Sequence, residues 1–217
     1  MEVRTFTGGG FGENAYLAVC ESTGATAAID PGADAPRMAR ALAADALDLR
    51  AILLTHAHID HIEGVEEIRS VAPGVPIWLH AEALPMYRTF PHQAARFGIE
   101  AGDPPEPTDA FEHGQKFQLG ESLLEVRYVP GHAPGHVMLV DHADSLAFVG
   151  DVVFRGSIGR TDLPGGDTRT LMTSIREQVL TLPDEFVLYS GHGPPTTVGA
   201  ERMGNPFLVP HYGGGLA

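Results

Sequence analysis

Cysteine and positively charged residues are scarce in this sequence of 217 residues. The single cysteine, Cys20, excludes an internal disulfide and any metal site built from several thiolates of the chain. The sequence has 14 Lys and Arg residues and 28 Asp and Glu residues, which gives a formal net charge of -14. Nucleic-acid binding depends on clustered Lys and Arg, and the sequence has no basic run, so we expect no nucleic-acid partner.

Long apolar stretches are also missing. Runs such as residues 51–54 are far shorter than the roughly 18 residues that a membrane-spanning helix requires, so we expect no membrane partner. The first ten residues lack the basic and then apolar regions of a secretory signal. We therefore expect a cytoplasmic protein.

The rest of the composition is that of an ordinary globular protein, with 43% hydrophobic and 19% charged residues. Apolar segments bounded by turn residues predict several strands followed by a helix, twice along the chain. The predicted strands are residues 3–7, 15–20, 25–30, 51–55, 76–80, 122–129, 137–141, 145–149 and 186–190, and the predicted helices are residues 34–47, 62–71, 82–88 and 170–180. We interpret residues 1–217 as one domain of the α+β class.

Four side chains of metal-binding type lie within the six residues from His56 to His61, directly after the apolar strand predicted over residues 51–55. Alternate side chains of an extended segment point the same way, so His56 and His58 can approach one cation together. Asp60 and His61 would then face a second position, at the turn into the next helix. The alternative is an exposed strand end with incidental histidines, but four such residues in six positions favour a metal site.

Three later segments also place a metal-binding side chain just after an apolar strand: Gly131-His132, Gly150-Asp151 and Gly191-His192. In each segment the glycine allows a sharp backbone turn at the end of the strand. Taken singly, each segment is better explained as a turn with a capping or surface residue. Together with the cluster at residues 56–61, they form a set of candidate ligands. Imidazole and carboxylate ligands suit Zn, Fe or Mn rather than Ca or Mg.

This order of motifs, HxHxDH followed by His, Asp and His, resembles the metallo-β-lactamase superfamily over nearly the whole chain. The resemblance implies a four-layer αββα sandwich, with two β-sheets packed face to face and helices outside. It also implies two divalent metal ions, for which Zn is the expected metal and Fe or Mn are alternatives. The implied ligands are His56, His58 and His132 for one ion and Asp60, His61 and His192 for the other, with Asp151 bridging them. Of the two histidines at positions 132 and 136, the resemblance assigns the ligand role to His132.

Within the superfamily the chain is most similar to short glyoxalase II-type hydrolases, through residues 156–162, 190–194 and 201–207. The implied function is hydrolysis of thioesters such as S-D-lactoylglutathione by a metal-bridging hydroxide. Asp60 is the expected catalytic residue, because its carboxylate can orient that hydroxide while it binds metal. Full-length glyoxalase II has a C-terminal helical domain that helps to bind glutathione, whereas 25 residues follow His192 here, so we expect no such domain.

Arg155 and Arg160 follow Asp151 in a chain with few positively charged residues, and we hypothesise that one of them binds a substrate carboxylate. Pairing of Arg160 with Asp162 to brace the loop is an equally good explanation.

Two other activities of the same fold are alternatives. A mononuclear-iron persulfide dioxygenase shares the Gly-Arg-Thr-Asp loop, but that subgroup uses His, His and Asp as ligands and lacks the Gly-His-Gly-Pro pattern found around His192. A lactonase or esterase would apply the same hydrolytic chemistry to esters. A β-lactamase is disfavoured by the missing export signal.

Overall fold

The structure, a computed structural model, describes residues 1–209, and residues 210–217 lie outside this description. Its first sheet has six strands in chain order: β1 (Glu2–Gly8), β2 (Glu13–Val19), β3 (Ala25–Ile29), β4 (Asp48–Leu53), β5 (Ile77–His80) and β6 (Asp109–Phe111). The strands β1 to β3 pair antiparallel, and β3 to β6 pair parallel.

The second sheet also has six strands, in the order β14-β13-β10-β9-β8-β7. Their bounds are β7 (Lys116–Leu119), β8 (Ser122–Tyr128), β9 (Val137–Asp141), β10 (Leu146–Gly150), β13 (Val187–Ser190) and β14 (Thr196–Thr197). Only β10 and β13 pair parallel in this sheet. A separate hairpin, β11 (Val153–Phe154) with β12 (Ser157–Ile158), follows β10.

Residues 1–209 contain seven short helices, of which the first six lie between strands and the seventh follows β14. They are α1 (Ala35–Ala44), α2 (Ile59–Ile62), α3 (Val65–Val71), α4 (Leu84–Tyr87), α5 (Phe90–Ala95), α6 (Thr168–Ser174) and α7 (Val198–Gly204). A 3₁₀ turn at Ala81–Ala83 precedes α4, and α6 continues as a π-helical turn at Ile175–Val179. Among residues 1–209, no helix combines the length and the apolar character needed to cross a membrane.

Alternating side chains divide the interior into three apolar cores. In β2, Leu17 packs against the helices that include α1 and α3, whereas its neighbour Ala18 packs between the two sheets. In β9, Leu139 lies between the sheets, and Met138 packs on the other face with Leu171 of α6. Three cores separate four layers, so the structure confirms the predicted αββα sandwich of the α+β class.

Several predicted bounds are wrong for local reasons. The helix predicted over residues 34–47 ends at Ala44, and Ala46 takes a positive φ of 48°. The helix predicted over residues 62–71 begins later, at Val65, because Ile62 ends the preceding helix α2 and Gly64 is the N-cap of α3. A side chain at Gly64 would overlap the Gly32 carbonyl, and the Gly64 N–H donates to the Pro31 carbonyl at 2.8 Å.

Two residues of the metal motif, Asp60 and His61, lie inside α2 and not in a turn before it, because this helix already begins at Ile59. The helix predicted over residues 170–180 begins at Thr168, because Asp167 caps it by accepting a hydrogen bond from the Thr170 N–H at 2.7 Å. Some observed elements have no counterpart among the predicted ones: α5, α7, β6, β7, β11, β12 and β14.

Candidate metal centre

The predicted metal ligands all lie in the segments that follow strands, and these segments meet at one place. His56 and His58 follow β4, Asp60 and His61 lie in α2, His132 lies between β8 and β9, Asp151 follows β10, and His192 follows β13. One sheet therefore supplies four of these side chains and the other sheet supplies three. All of them except His58 and His192 are buried.

The first group of ligands consists of His56, His58 and His132. His58 Nδ1 lies 3.1 Å from His56 Nε2 and 2.9 Å from His132 Nε2. Nitrogen ligands about 2.0–2.1 Å from a tetrahedral zinc ion stand about 3.3 Å apart. The three nitrogens are therefore close to the spacing that one cation requires.

The second group consists of Asp60, His61 and His192. His192 Nε2 lies 3.2 Å from Asp60 Oδ2. Asp151 contacts both groups, because its Oδ1 lies 3.3 Å from His61 Nε2 and its Oδ2 lies 3.5 Å from both His132 Nε2 and His192 Nε2. This is the position expected of a carboxylate that bridges two cations.

Two atoms of this cluster are buried without a hydrogen-bond partner among residues 1–209, namely His61 Nε2 and Asp151 Oδ1. An unsatisfied buried polar group costs about 1–3 kcal/mol, and more if it is charged. A cation between these atoms would bind both of them. The residues therefore fit a pair of metal ions.

Asp30 and Thr55 orient two of the histidines from outside the cluster. His61 Nδ1 donates to Asp30 Oδ2 at 3.0 Å, and His56 Nδ1 lies 3.0 Å from the Thr55 hydroxyl. The Thr55 hydroxyl and N–H both donate to the Asp30 carboxylate, at 2.6 Å and 2.7 Å. These bonds leave Nε2 of each ring facing the metal position. Neither Asp30 nor Thr55 was among the predicted site residues.

His132 and Asp151 are supported in a similar way. His132 Nδ1 donates to the Arg160 carbonyl at 2.8 Å. His136 Nε2 accepts the Asp151 N–H at 3.1 Å, and the His136 ring stacks on His56 with 4.6 Å between centroids. His136 therefore helps to position Asp151 and packs against His56, and it belongs to neither ligand group.

The two ligand groups differ in their electrostatics. Burial and neighbouring imidazoles lower the pKa of His56 well below its usual value and that of His58 to about 4, so both rings are neutral and able to bind metal. Burial disfavours the charged form of His192, but Asp151 and Asp60 outweigh it and raise its pKa to about 10. Negative charge is therefore concentrated around the second group, whereas the first group consists of imidazoles alone.

Glu13 is a further carboxyl group beside this cluster. It is buried, its two oxygens have no hydrogen-bond partner among residues 1–209, and burial raises its pKa to about 10. It is therefore neutral near pH 7 and adds no negative charge to that of Asp30, Asp60 and Asp151.

The two candidate substrate-binding arginines are exposed, and both have partners. Arg155 Nη2 donates to the Pro195 carbonyl at 2.6 Å. Arg160 forms a bidentate pair with Asp162, through Nε and Nη2, at 2.8 Å for each bond. The loop-bracing pair considered for Arg160 is therefore present.

Residues 8–192 match the family model of the metallo-beta-lactamase superfamily, and the chain belongs to that superfamily. Membership confirms the predicted family and fold and supports a metal-dependent hydrolase. More narrowly, the chain is 40% identical over 184 residues to hydroxyacylglutathione hydrolase GloC of Haemophilus influenzae, which covers 84% of this chain and 86% of the relative.

Two crystal structures are similar over nearly the whole chain. That of TTHA1623 in a di-iron-bound form has a TM-score of 0.86 and 39% identity, and the match covers 95% of this chain and 100% of that one. That of BLEG-1 B3 metallo-beta-lactamase has a TM-score of 0.84 and 34% identity, with coverage of 96% and 100%.

Proposed function

We propose that the protein is a dinuclear metal-dependent hydrolase of thioesters of the S-D-lactoylglutathione type. The observation that carries this proposal is the second ligand group, in which His192 Nε2 lies 3.2 Å from Asp60 Oδ2 and 3.5 Å from Asp151 Oδ2. A site for one metal ion would have no need of His192 at this position. The similarity to GloC supports a glutathione thioester as the substrate.

The proposed ligands are His56, His58 and His132 for one ion and Asp60, His61 and His192 for the other, with Asp151 between them. When bound, such a metal pair lowers the pKa of water to give a nucleophile at neutral pH and polarises the substrate carbonyl. Zinc is our expected metal, and iron or manganese suits the same ligands.

Asp60 is the proposed catalytic residue. Burial would raise its pKa, but His61 and His192 outweigh this effect and lower it, so the carboxylate is ionised at neutral pH. An ionised Asp60 can accept a hydrogen bond from the attacking water and hold it in line with the substrate carbonyl. The leaving group of a thioester ionises near pH ~8.5 and departs without a general acid.

The test combines elemental analysis of protein purified without added metal with hydrolysis of S-D-lactoylglutathione, a lactone and a β-lactam. We expect about two metal ions per chain and turnover of the thioester in preference to the other two substrates. His192→Ala should reduce the metal content to about one ion per chain. One iron per chain, no thioester turnover and oxygen uptake on glutathione persulfide would replace this proposal with the dioxygenase. Preferential β-lactam turnover would favour an activity like that of BLEG-1.

Substrate binding by Arg155 or Arg160 is a separate proposal with its own test. Solvent screens an exposed ion pair such as that of Arg160 with Asp162 and leaves it weak, so a substrate carboxylate can compete for the guanidinium. We expect Arg155→Ala or Arg160→Ala to raise KM for the anionic thioester about tenfold, with little change in kcat.

Arg50→Ala is the matched control, because Arg50 is also exposed and pairs with an Asp two residues away, Asp48, at the opposite end of β4 from the candidate ligands. If KM stays unchanged in both loop variants, neither arginine binds the substrate.

A further inference from the structure

His192 differs from His61 and His132 in how its ring is held. Nδ1 of His61 and of His132 each donates to a fixed oxygen atom, whereas Nδ1 of His192 makes no hydrogen bond within residues 1–209. The His192 side chain is also 29% exposed. Apart from the contacts of its Nε2 atom with Asp60 and Asp151, the position of His192 is therefore fixed through its backbone.

The backbone around His192 is held by β2 of the opposite sheet. The Asn14 N–H donates to the Gly191 carbonyl at 2.8 Å. The Asn14 side-chain amide donates to the carbonyls of Ser190 and Gly193, at 3.1 Å and 2.7 Å. The Tyr16 hydroxyl donates to the Ser190 carbonyl at 2.6 Å. Carbonyl groups on both sides of His192 are thus bound to two residues of β2.

These contacts join the parts of the molecule that carry the second ligand group. Asp60 follows β4 of the first sheet, and His192 follows β13 of the second sheet. The distance between their ligand atoms therefore depends on how the two sheets are joined here. Asn14 and Tyr16 are both 3% exposed, and no water can replace their bonds without opening the junction. The Thr7 hydroxyl donates to Asn14 Oδ1 at 2.7 Å and so fixes which way the amide faces.

We propose that Asn14, assisted by Tyr16, is a positioning residue that holds His192 at the second metal position and so sets the affinity for the second ion alone. The inference rests on the proposed dinuclear centre. The side-chain hydrogen bonds of Asn14 and Tyr16 reach none of the three ligands of the first group. Loss of these bonds should therefore leave the first ion in place.

The experiment is a metal titration of the full chain with zinc, in competition with a chelator, together with elemental analysis. Wild type should bind two ions. Asn14→Ala should retain one ion per chain after dialysis and bind the second about 10- to 100-fold more weakly, while the affinity for the first changes less than about twofold. Tyr16→Phe removes a single hydroxyl and should lower the affinity for the second ion by a smaller factor, about threefold to tenfold.

Asn205→Ala is the matched control for a purely structural role. Asn205 is also a buried asparagine, and its amide donates to the Ser157 carbonyl at 2.9 Å, but it holds no candidate ligand segment. This variant should lower Tm and keep both metal affinities.

The inference is overturned if Asn14→Ala binds both ions as wild type does, or if both affinities fall by the same factor. If Asn14→Ala does not fold, Tyr16→Phe decides, and an unchanged second affinity there also overturns it. A wild-type protein that binds only one ion would instead remove the proposed dinuclear centre, and so the two failures are distinguishable.

Discussion

Gly191 lies directly against two candidate ligands. A Cβ atom at this position would overlap Asp151 Oδ1 and would lie 2.5 Å from His61 Cε1. Both neighbours are buried, and neither is the far end of a long flexible side chain. The absence of a side chain at Gly191 is therefore a requirement of the metal centre and not only of the turn after β13.

We predict that Gly191→Ala displaces Asp151 or His61 and lowers metal affinity and hydrolysis by about 100-fold. Gly204→Ala is the control, because a Cβ there meets nothing within 4 Å, and it should retain full activity. Elemental analysis and initial rates on the same samples provide the measurement. A Gly191→Ala protein with wild-type metal content and rate would show that the centre adapts to the added methyl group.

The residues around the centre also show what a sequence pattern can reveal. The candidate ligands stand in a local pattern, a metal-binding side chain just after an apolar strand, and the structure brings all of them together. Asp30 carries the same signal, since it follows β3 directly and precedes Pro31, and it could have been included. Asn14 carries none, because it lies within a buried strand and meets Ser190 from 176 positions away in the chain. Such pairings depend on the tertiary fold.

Individual strands differ in how well their sequence predicts them. The central strands β2, β3, β9 and β10 are buried at every position, and their apolar runs were sufficient to predict them. The edge strands β6 and β14 have two or three residues and no apolar run that could mark them. The order of the strands, with β10 beside β13, depends on packing between distant segments, and no local pattern encodes it.

A cluster of charges on β8 gives this strand a pH-dependent contribution to stability. The Glu125 carboxylate lies 2.5 Å from His142 Nε2 and 3.1 Å from Lys116 Nζ, and Arg127 lies nearby. Partial burial would raise the pKa of Glu125, but its bonds to His142 and Lys116 outweigh this effect and lower the pKa from 4.5 to about 2. A pKa lowered by folding means that the ionised carboxylate stabilises the folded state above about pH 4.5, and that this contribution is lost as pH falls toward 2.

We predict that Glu125→Gln lowers the free energy of unfolding by about 1 kcal/mol at pH 7, measured by urea denaturation. The difference from wild type should shrink as pH falls below about 4.5. Glu121→Gln makes the same change of charge at an exposed glutamate that has no ion-pair partner within residues 1–209, and it should have little effect. An equal difference between wild type and Glu125→Gln at pH 7 and pH 3.5 would contradict this prediction.

The metal centre lies at the junction of the two sheets, so its effect should extend to the stability of the whole molecule. Asp30, Asp60 and Asp151 gather buried negative charge there, in a chain whose formal net charge is already -14. Two divalent ions would offset that charge and bind side chains from both sheets at once. A ligand that binds only the folded state stabilises it by mass action.

We therefore predict that removal of metal by a chelator lowers Tm. A free metal concentration of about 1,000 times Kd stabilises the folded state by about 4 kcal/mol, and in a chain of this length that corresponds to a decrease in Tm on the order of 10 °C on removal. Addition of zinc to the chelated protein should restore the original Tm. Addition of calcium should not, because the histidine-rich ligand set suits zinc. Calorimetry of the metal-bound, chelated and reconstituted protein at equal ionic strength makes the measurement. Identical melting before and after chelation, with metal loss verified by elemental analysis, would mean that the junction is held by its hydrogen bonds and packing alone.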